Sequence, residues 1–340
     1  MAGKEPTPGN VKAFEELRLG DLRGRDVSRD VVVIPVAPCE NHGAHLPTGT
    51  DLYVSDDLSE RVARKYAASR PDGHVLVYPC IPIGSAAIRG TGSVKITSRQ
   101  LRRSLIFLCG RFMRQGYRRF VLISVHGGVP FAGALDAVCR ALNSKGARAV
   151  APTAAIAIRC YRGDYNERIR AAGVMISDEM RGLFIQDLHG GFLETSMMLA
   201  IRPDLVGDRY QTQPPIIAKR RWWISILEKA VVSAARVMPI SQETKEAVAL
   251  GARVGAIDFS WIVTGRLDGY HGAPALASAE LGHALLESVS ADIAASIDQV
   301  FEGKTDPEAF RSAAWLFSWA KGIAACVGVL ILALIFLSLR

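Results

Sequence analysis

The sequence predicts an α/β protein: a three-layer α/β/α sandwich on a mainly parallel sheet, followed by one C-terminal transmembrane helix. Short apolar runs at residues 31–36, 74–78, 120–125 and 147–157 alternate with stretches of helical periodicity. That alternation marks a parallel sheet covered by helices on both faces. The 340-residue chain is 49% hydrophobic and 22% charged, enough apolar material for a large core. Residues 322–339 read GIAACVGVLILALIFLSL, 18 residues without a charge. As a helix they span roughly 27 Å, close to the hydrocarbon thickness of a bilayer.

Residues 1–28 read as a loose lead-in with one short helix over 11–17. Val31-Val32-Val33-Ile34-Pro35-Val36 is the first strand, apolar on both faces as a buried parallel strand requires. A helix follows over 51–68, with Leu52, Leu58, Val62 and Tyr66 on its apolar side. The second strand covers 74–78. Gly84, Gly90 and Gly92 make 84–97 a loop. The next helix runs over 98–115, with Ser98 as its N-cap and Gly116 ending it. A strand at 120–125, a helix at 131–144 and a strand at 147–157 complete the alternation.

Residues 159–188 are less regular. A helix over 192–201 carries Met197, Met198 and Leu199 and is stopped by Pro203. The helix over 218–237 places Trp223, Ile226, Leu227, Ala230, Val231 and Ala234 on one face, behind Lys219, Arg220 and Arg221. That face either packs on protein or lies on a membrane surface. A long helix over 277–301 closes the domain. The organisation is thus a lead-in at 1–28, a globular domain at 29–302, a polar linker at 303–314 and an anchor at 315–340.

The net charge is +8, with basic clusters at 99–103, 111–119 and 219–221. No helix-turn-helix, zinc-finger or RNA-binding signature accompanies them, so a solvated face or attraction to anionic lipid is preferred and no nucleic-acid partner is expected. Residues 1–8 lack the apolar core of a signal peptide. Trp315 and Trp319 precede the apolar run as interfacial anchors would, with Arg311 and Lys321 on the same side. The positive-inside rule then puts the globular part in the cytoplasm. The six cysteines form no Cys-x-x-Cys pair and read as reduced, small hydrophobes. Cys39 stands beside Glu40, where packing or support of a metal ligand is favoured over a nucleophilic role.

Three separated segments carry the chemistry. Glu40-Asn41-His42-Gly43-Ala44-His45 with Asp51 follows the first strand; His126-Gly127-Gly128 follows the strand at 120–125; His189-Gly190-Gly191-Phe192-Leu193-Glu194 precedes and opens a helix. Strand ends of a parallel sheet bring such segments together at the ligand-binding edge. Glu, His and Asp are the oxygen and nitrogen donors that suit Zn²⁺, Mn²⁺ or Fe²⁺.

Together these segments resemble the creatininase family of metal-dependent amidohydrolases. Residues 40–51 match its Glu-x-His-Gly-x-His-Leu-Pro-x-x-x-Asp motif, 125–129 partly match its Gly-His-Gly-Gly-Asn motif, and 189–196 match its His-x-Gly-x-x-Glu-Thr-Ser motif. Gly90-Thr91 and the segment from Gly269 through His271 to Ala277 are also similar. The resemblance covers about 25–300. It implies a site for two divalent ions: Glu40, Asp51 and His126 would hold one, His42, Asp51 and Glu194 the other, with Asp51 bridging. It also implies His189 as the proton-handling residue. His45, Thr91 and His271 would contact substrate or support the ligands, His45 by orienting a ligand or touching substrate.

The chain departs from the family pattern around His126. Ser124 and Val125 stand where the family has Asn and Gly, Val129 replaces the closing Asn, and Gly128 occupies the position of a Glu ligand in some members. Glu194 is therefore assigned as the replacement ligand, and creatinine itself is disfavoured as substrate. The resemblance implies a hydrolase in which metal-bound hydroxide attacks a non-peptide or cyclic C–N amide, assembled as a homo-oligomer. The C-terminal apolar run adds the expectation that it is held at the cytoplasmic face of a membrane. Alternatives are a formamide hydrolase, a peptidase acting on a small modified peptide, or a catalytically lapsed membrane-bound scaffold.

Overall fold

The structure is a computed structural model that describes residues 9–24, 26–70, 73–264, 269–310 and 312. Among the described residues five strands form one sheet: β1 (Val11–Ala13), β2 (Val31–Pro35), β3 (Val75–Val77), β4 (Arg119–Ile123) and β5 (Arg148–Val150). Their spatial order is β1-β3-β2-β4-β5 and every pairing is parallel. Val33 sits in register with Val77 on one side and Val121 on the other. The helices, in chain order, are α1 (Leu19–Leu22), α2 (Thr50–Ser69), α3 (Ser98–Arg114), α4 (Val129–Asn143), α5 (Thr153–Arg162) and α6 (Asn166–Ala171). Then come α7 (Asp178–Leu183), α8 (Phe192–Ile201), α9 (Trp222–Val237), α10 (Gln242–Thr264) and α11 (Ala279–Phe301).

The pleat sorts the strand residues between two cores. Val31, Val33, Val121 and Ile123 face Leu58 and Val62 of α2, Met198 of α8 and Leu285 and Ile293 of α11. Val32, Ile34, Phe120 and Leu122 face Leu101 and Leu105 of α3 and Leu135 and Val138 of α4. These two cores make the three layers expected. Because α2 and α4 cover opposite faces, the chain leaves the neighbouring strands β2 and β4 in opposite directions. A crevice opens at their carboxyl ends, the switch point where α/β sheets bind ligands.

Several expectations need correction. Residues 11–13 form the edge strand β1 rather than the start of a helix, because Val11 finds a ladder partner in Val75. The cap of α3 is Thr97, not Ser98: its side chain accepts from the Gln100 N–H and the Gln100 side chain accepts from the Thr97 N–H, a capping box. The strand expected over 147–157 stops at Val150, since Pro152 has no N–H for the ladder and starts α5 instead. The irregular stretch 159–188 contains the end of α5, α6 and α7. Helix α10 is absent from the sequence reading. The linker is partly docked: a 3₁₀ turn covers Pro307–Phe310, and the Ser312 N–H donates to the Asp136 carboxylate.

Helix α9 divides its apolar residues. Trp223 meets Phe259 of α10 edge-on, with ring centroids 5.7 Å apart, while Trp222, Ile226 and Leu227 are exposed. Among the described residues no helix is long and apolar enough to cross a membrane. The anchor expected at 315–340 lies outside the described residues.

Candidate metal centre

The crevice between β2 and β4 gathers the three polar segments. Glu40 and His42 lie on the loop leaving β2, and Asp51 stands in the first turn of α2, where the helix N-terminus favours its charge. Between them the Asn41 side chain accepts from the Gly43 N–H at 2.9 Å, and Gly43 takes a φ of +84°, which turns the loop back on itself. His126 follows β4, and Glu194 opens α8.

Asp51 is the hub. Its Oδ1 is 3.3 Å from His42 Nε2 and its Oδ2 is 3.2 Å from His126 Nδ1. His126 Nδ1 is also 2.7 Å from Glu40 Oε1, and His42 Nε2 is 3.6 Å from Glu194 Oε2. Two donor sets result, Glu40/Asp51/His126 and His42/Asp51/Glu194, each with its ligand atoms within 4.8 Å of one another. A third set, Glu40/His42/His189, meets the same limit.

Backbone groups aim these donors. His42 Nδ1 lies 3.0 Å from the Glu40 carbonyl and His126 Nε2 lies 3.0 Å from the Ser85 carbonyl. Donation to those carbonyls orients each ring and turns His42 Nε2 and His126 Nδ1 toward Asp51, where each can give its lone pair to a metal ion in place of a proton. The Ile88 N–H holds Glu40 Oε2 at 2.7 Å, freeing Oε1, and the Gly190 N–H holds Glu194 Oε2 at 2.6 Å. Among the described residues, Glu40 Oε1, His42 Nε2 and both Asp51 oxygens are buried without a hydrogen-bond partner. Orphaned polar atoms cost free energy unless something cationic completes them. The donors therefore fit two divalent ions.

The electrostatics point the same way. Burial opposes charge on Asp51, yet His42 and His126 hold its carboxyl well below the usual range. Burial also opposes charge on His42, but Asp51, Glu194 and Glu40 outweigh it and raise its pKa to about 9. Burial raises Glu40, against the pull of His126. Three carboxylates in one buried cluster need compensating positive charge, and divalent ions supply it at the same atoms that protons otherwise occupy.

His189 stacks on the His42 ring at a centroid distance of 4.2 Å, and its Nε2 lies 2.7 Å from the Asn41 carbonyl. Donation to that carbonyl makes Nδ1 the basic nitrogen. Burial, with His42 beside it, keeps its pKa well below the ordinary value, so the ring is neutral. His45 Nε2 reaches the Gly190 carbonyl at 3.0 Å and Thr195 Oγ1 at 3.2 Å, and burial lowers its pKa to about 4. It braces the start of α8. His271 commits both nitrogens to the backbone: Nδ1 lies 2.7 Å from the Gln186 carbonyl, and Nε2 accepts from the Ala218 N–H at 2.8 Å. It binds loops together instead of facing a ligand. Thr91 is exposed on the glycine-rich loop. A side chain at Gly128 would meet Ala86 at 2.8 Å and His126 Nε2 at 3.0 Å, so no ligand fits there and Glu194 stands in the ligand set.

In the sequence Asp187 stands out only as the acidic neighbour of Leu188, and Trp261 was not anticipated. The buried Asp187 accepts from the N–H groups of Phe192, Leu193 and Ala273 at 2.9, 2.8 and 3.2 Å, pinning the N-terminus of α8 and hence Glu194. A Cβ on Gly191 or Gly272 would lie 1.9 or 2.1 Å from Asp187 Oδ1, which explains both glycines. An acidic residue shortly before a helix start was the available signal. Trp261 of α10 is buried 5.9 Å from His189 and 5.3 Å from His271, ring to ring. Without α10 in view, nothing in the sequence placed it there.

Fold and donor set together define a protein of α/β/α architecture with a candidate two-metal centre at the carboxyl edge of its sheet. Residues 15–297 match the family described as Creatininase: Creatinine amidohydrolase, and the chain belongs to that family. It is 28% identical over 114 residues to the 3-dehydro-scyllo-inosose hydrolase of Thermotoga maritima, covering 34% of this chain and 35% of that protein. It is 25% identical over 205 residues to the creatinine amidohydrolase of Pseudomonas putida, covering 59% and 76%. It is 27% identical over 178 residues to the mycofactocin precursor peptide peptidase of Mycolicibacterium smegmatis, covering 51% and 59%. The chain thus spans about a third of the length of the first relative and over half of the third.

Among solved structures, a Bacteroides fragilis protein assigned as a creatinine amidohydrolase matches with a TM-score of 0.58 at 19% identity, covering 86% of this chain and 97% of that one. A structure described as manganese creatininase matches at 0.53 and 20% identity, covering 85% and 98%. A creatininase variant described as the Zn-Zn type matches at 0.52 and 20%, with the same coverage. At these identities the structures establish the shared fold.

Proposed function

We propose that the chain hydrolyses a non-peptide or cyclic C–N amide at a two-metal centre, as a homo-oligomer tethered by residues 315–340 to the cytoplasmic face of a membrane. The observation that carries the chemistry is the bridging position of Asp51, one oxygen toward His42 and the other toward His126. Bound there, two ions of Zn, Mn or Fe would polarise an amide carbonyl and acidify a water. Glu40, Asp51 and His126 would hold one, and His42, Asp51 and Glu194 the other. His189, neutral and basic at Nδ1, takes a proton in the first half of the reaction. It returns that proton to the leaving nitrogen in the second. Trp261 and the stacked His42 fix the ring in place.

A peptidase acting on a small modified peptide is the second reading, favoured by the similarity to the mycofactocin precursor peptide peptidase. The test is amine release by the metal-loaded protein from cyclic amides, formamides and short peptides. Cleavage of cyclic amides alone supports the first reading and cleavage of peptides the second. Full metal content with no cleavage of any class favours a scaffold.

A further inference from the structure

We propose that the substrate carries a small branched aliphatic group, which occupies an apolar cavity beside Glu194; this rests on the metal-centre reading above. The cavity measures about 110 Å³ and lies beneath α5, against α8 and α11. Ile156, Ala157, Met197 and Leu285 form its apolar wall, while Val125 and Gly127 flank His126 on the metal side.

Access singles this cavity out. The side chains of Glu40 and His42 are fully enclosed and Asp51 is 1% exposed, whereas Glu194 keeps 16% of its side-chain surface open. Glu194 is also part of the cavity wall. A substrate approaching the donor cluster from the Glu194 side therefore passes its flanking group over this wall. The wall chemistry selects that group. Ser124, Thr153, Tyr161 and Asp187 also border the cavity, but Thr153 Oγ1 donates to the Ser124 carbonyl and Asp187 accepts from three backbone N–H groups. The mainly aliphatic remainder offers little to a charged substituent, whose desolvation would go unrepaid. Size narrows it further: a cavity of about 150 Å³ takes benzene, so this smaller one suits a branched chain of three to five carbons. The acyl or amine part of the scissile amide thus ends in an isopropyl- or isobutyl-like group, a class distinct from compact polar rings.

The test uses hydroxamates, which bind divalent centres through two oxygens, and reads binding by calorimetry on the metal-loaded full-length protein. Acetohydroxamate reports the metal centre alone; 3-methylbutanohydroxamate adds three carbons aimed into the cavity. At about 0.8 kcal/mol per buried carbon, the branched probe binds roughly 50-fold more tightly. Ala157→Phe and, independently, Ile156→Trp fill the space, and each brings that ratio to near one with acetohydroxamate affinity and metal content unchanged. A ratio near one in the parent, with acetohydroxamate bound, overturns the cavity assignment and leaves the metal centre standing. An unchanged ratio in a folded, filled variant overturns it as well. Failure of acetohydroxamate to bind a metal-loaded parent overturns the open-centre reading and the cavity proposal together.

Discussion

Asp51 Oδ2 lies 3.2 Å from His126 Nδ1, across the gap between the first turn of α2 and the turn that ends β4. No local sequence relation joins these residues. Their meeting follows from the parallel order of β2 and β4 and from the helices leaving those strands on opposite faces. The same carboxylate meets His42 through its other oxygen at 3.3 Å. One side chain therefore couples two halves of a donor cluster.

His189→Gln should lower kcat by about 10²–10⁴-fold while leaving metal content intact, the range expected for a lost general acid-base group. Single-turnover rates alongside elemental analysis check this. Since burial holds the His189 pKa well below its ordinary value, the neutral, active ring is fully present at neutral pH, and the acid limb of the parent's rate profile should fall well below pH 6.5. Loss of an ion in His189→Gln would instead make His189 a ligand through the Glu40/His42/His189 set.

Asp187 should make stability pH-dependent. Burial raises its folded pKa to about 7, against the pull of three backbone N–H groups, from about 3.8 for the free side chain. Between those values the folded state binds the proton more tightly than the unfolded state. Its contribution is therefore largest below pH 4, declines as pH rises to 7 and is flat above, a span of a few kcal/mol. Asp187→Asn removes that slope and costs about 1–3 kcal/mol by placing an amide N–H against the Leu193 N–H. Denaturant melts from pH 5 to 8 should show the parent-minus-variant gap narrowing with pH; a constant gap contradicts this.

Gly282 of α11 lets α8 come close: an added Cβ would lie 1.9 Å from the Ser196 carbonyl oxygen and 2.4 Å from its carbon. That neighbour is backbone and cannot swing aside. Gly282→Ala should cost roughly 3 kcal/mol and, by shifting α8, reduce metal retention through Glu194. Gly251→Ala on α10 meets nothing within 4 Å and should be neutral or gain up to about 1 kcal/mol of helix stability. Equal melting of the two variants would contradict the close packing assigned to α8 and α11.

The tether gives a separate expectation. Full-length protein should sediment with membranes and resist extraction by salt or alkali, and deletion of 313–340 should release it with metal and activity intact. Aggregation or metal loss on deletion would instead make that segment part of the domain core.

Much of the fold was legible because long segments kept one period. The expected helix over 192–201 coincides with α8 (Phe192–Ile201), and that over 51–68 falls inside α2 (Thr50–Ser69). Where signals competed, tertiary context decided. Three residues of β1 carry too little pattern to be read as a strand without Val75 beside them. Gly251 and Gly255 weaken the helical signal of α10, which packing on α9 restores. At the site, the motif residues Glu40, His42, Asp51, His126 and Glu194 were readable because each is a donor type at a strand or helix end. What holds them was not: the carbonyls of Glu40 and Ser85 and the N–H groups of Ile88 and Gly190 are backbone atoms, which carry no side-chain signature. His271 shows the converse. A polar residue in a glycine-rich loop near the site is taken up in fastening that loop.

The most direct measurement is metal content per chain, by elemental analysis, in the parent and in Asp51→Ala after growth with ample Zn, Mn and Fe. The account predicts about two ions in the parent and the loss of most of both in the variant, because one carboxylate serves both donor sets. A parent without bound metal, or a variant that keeps both ions, would contradict it.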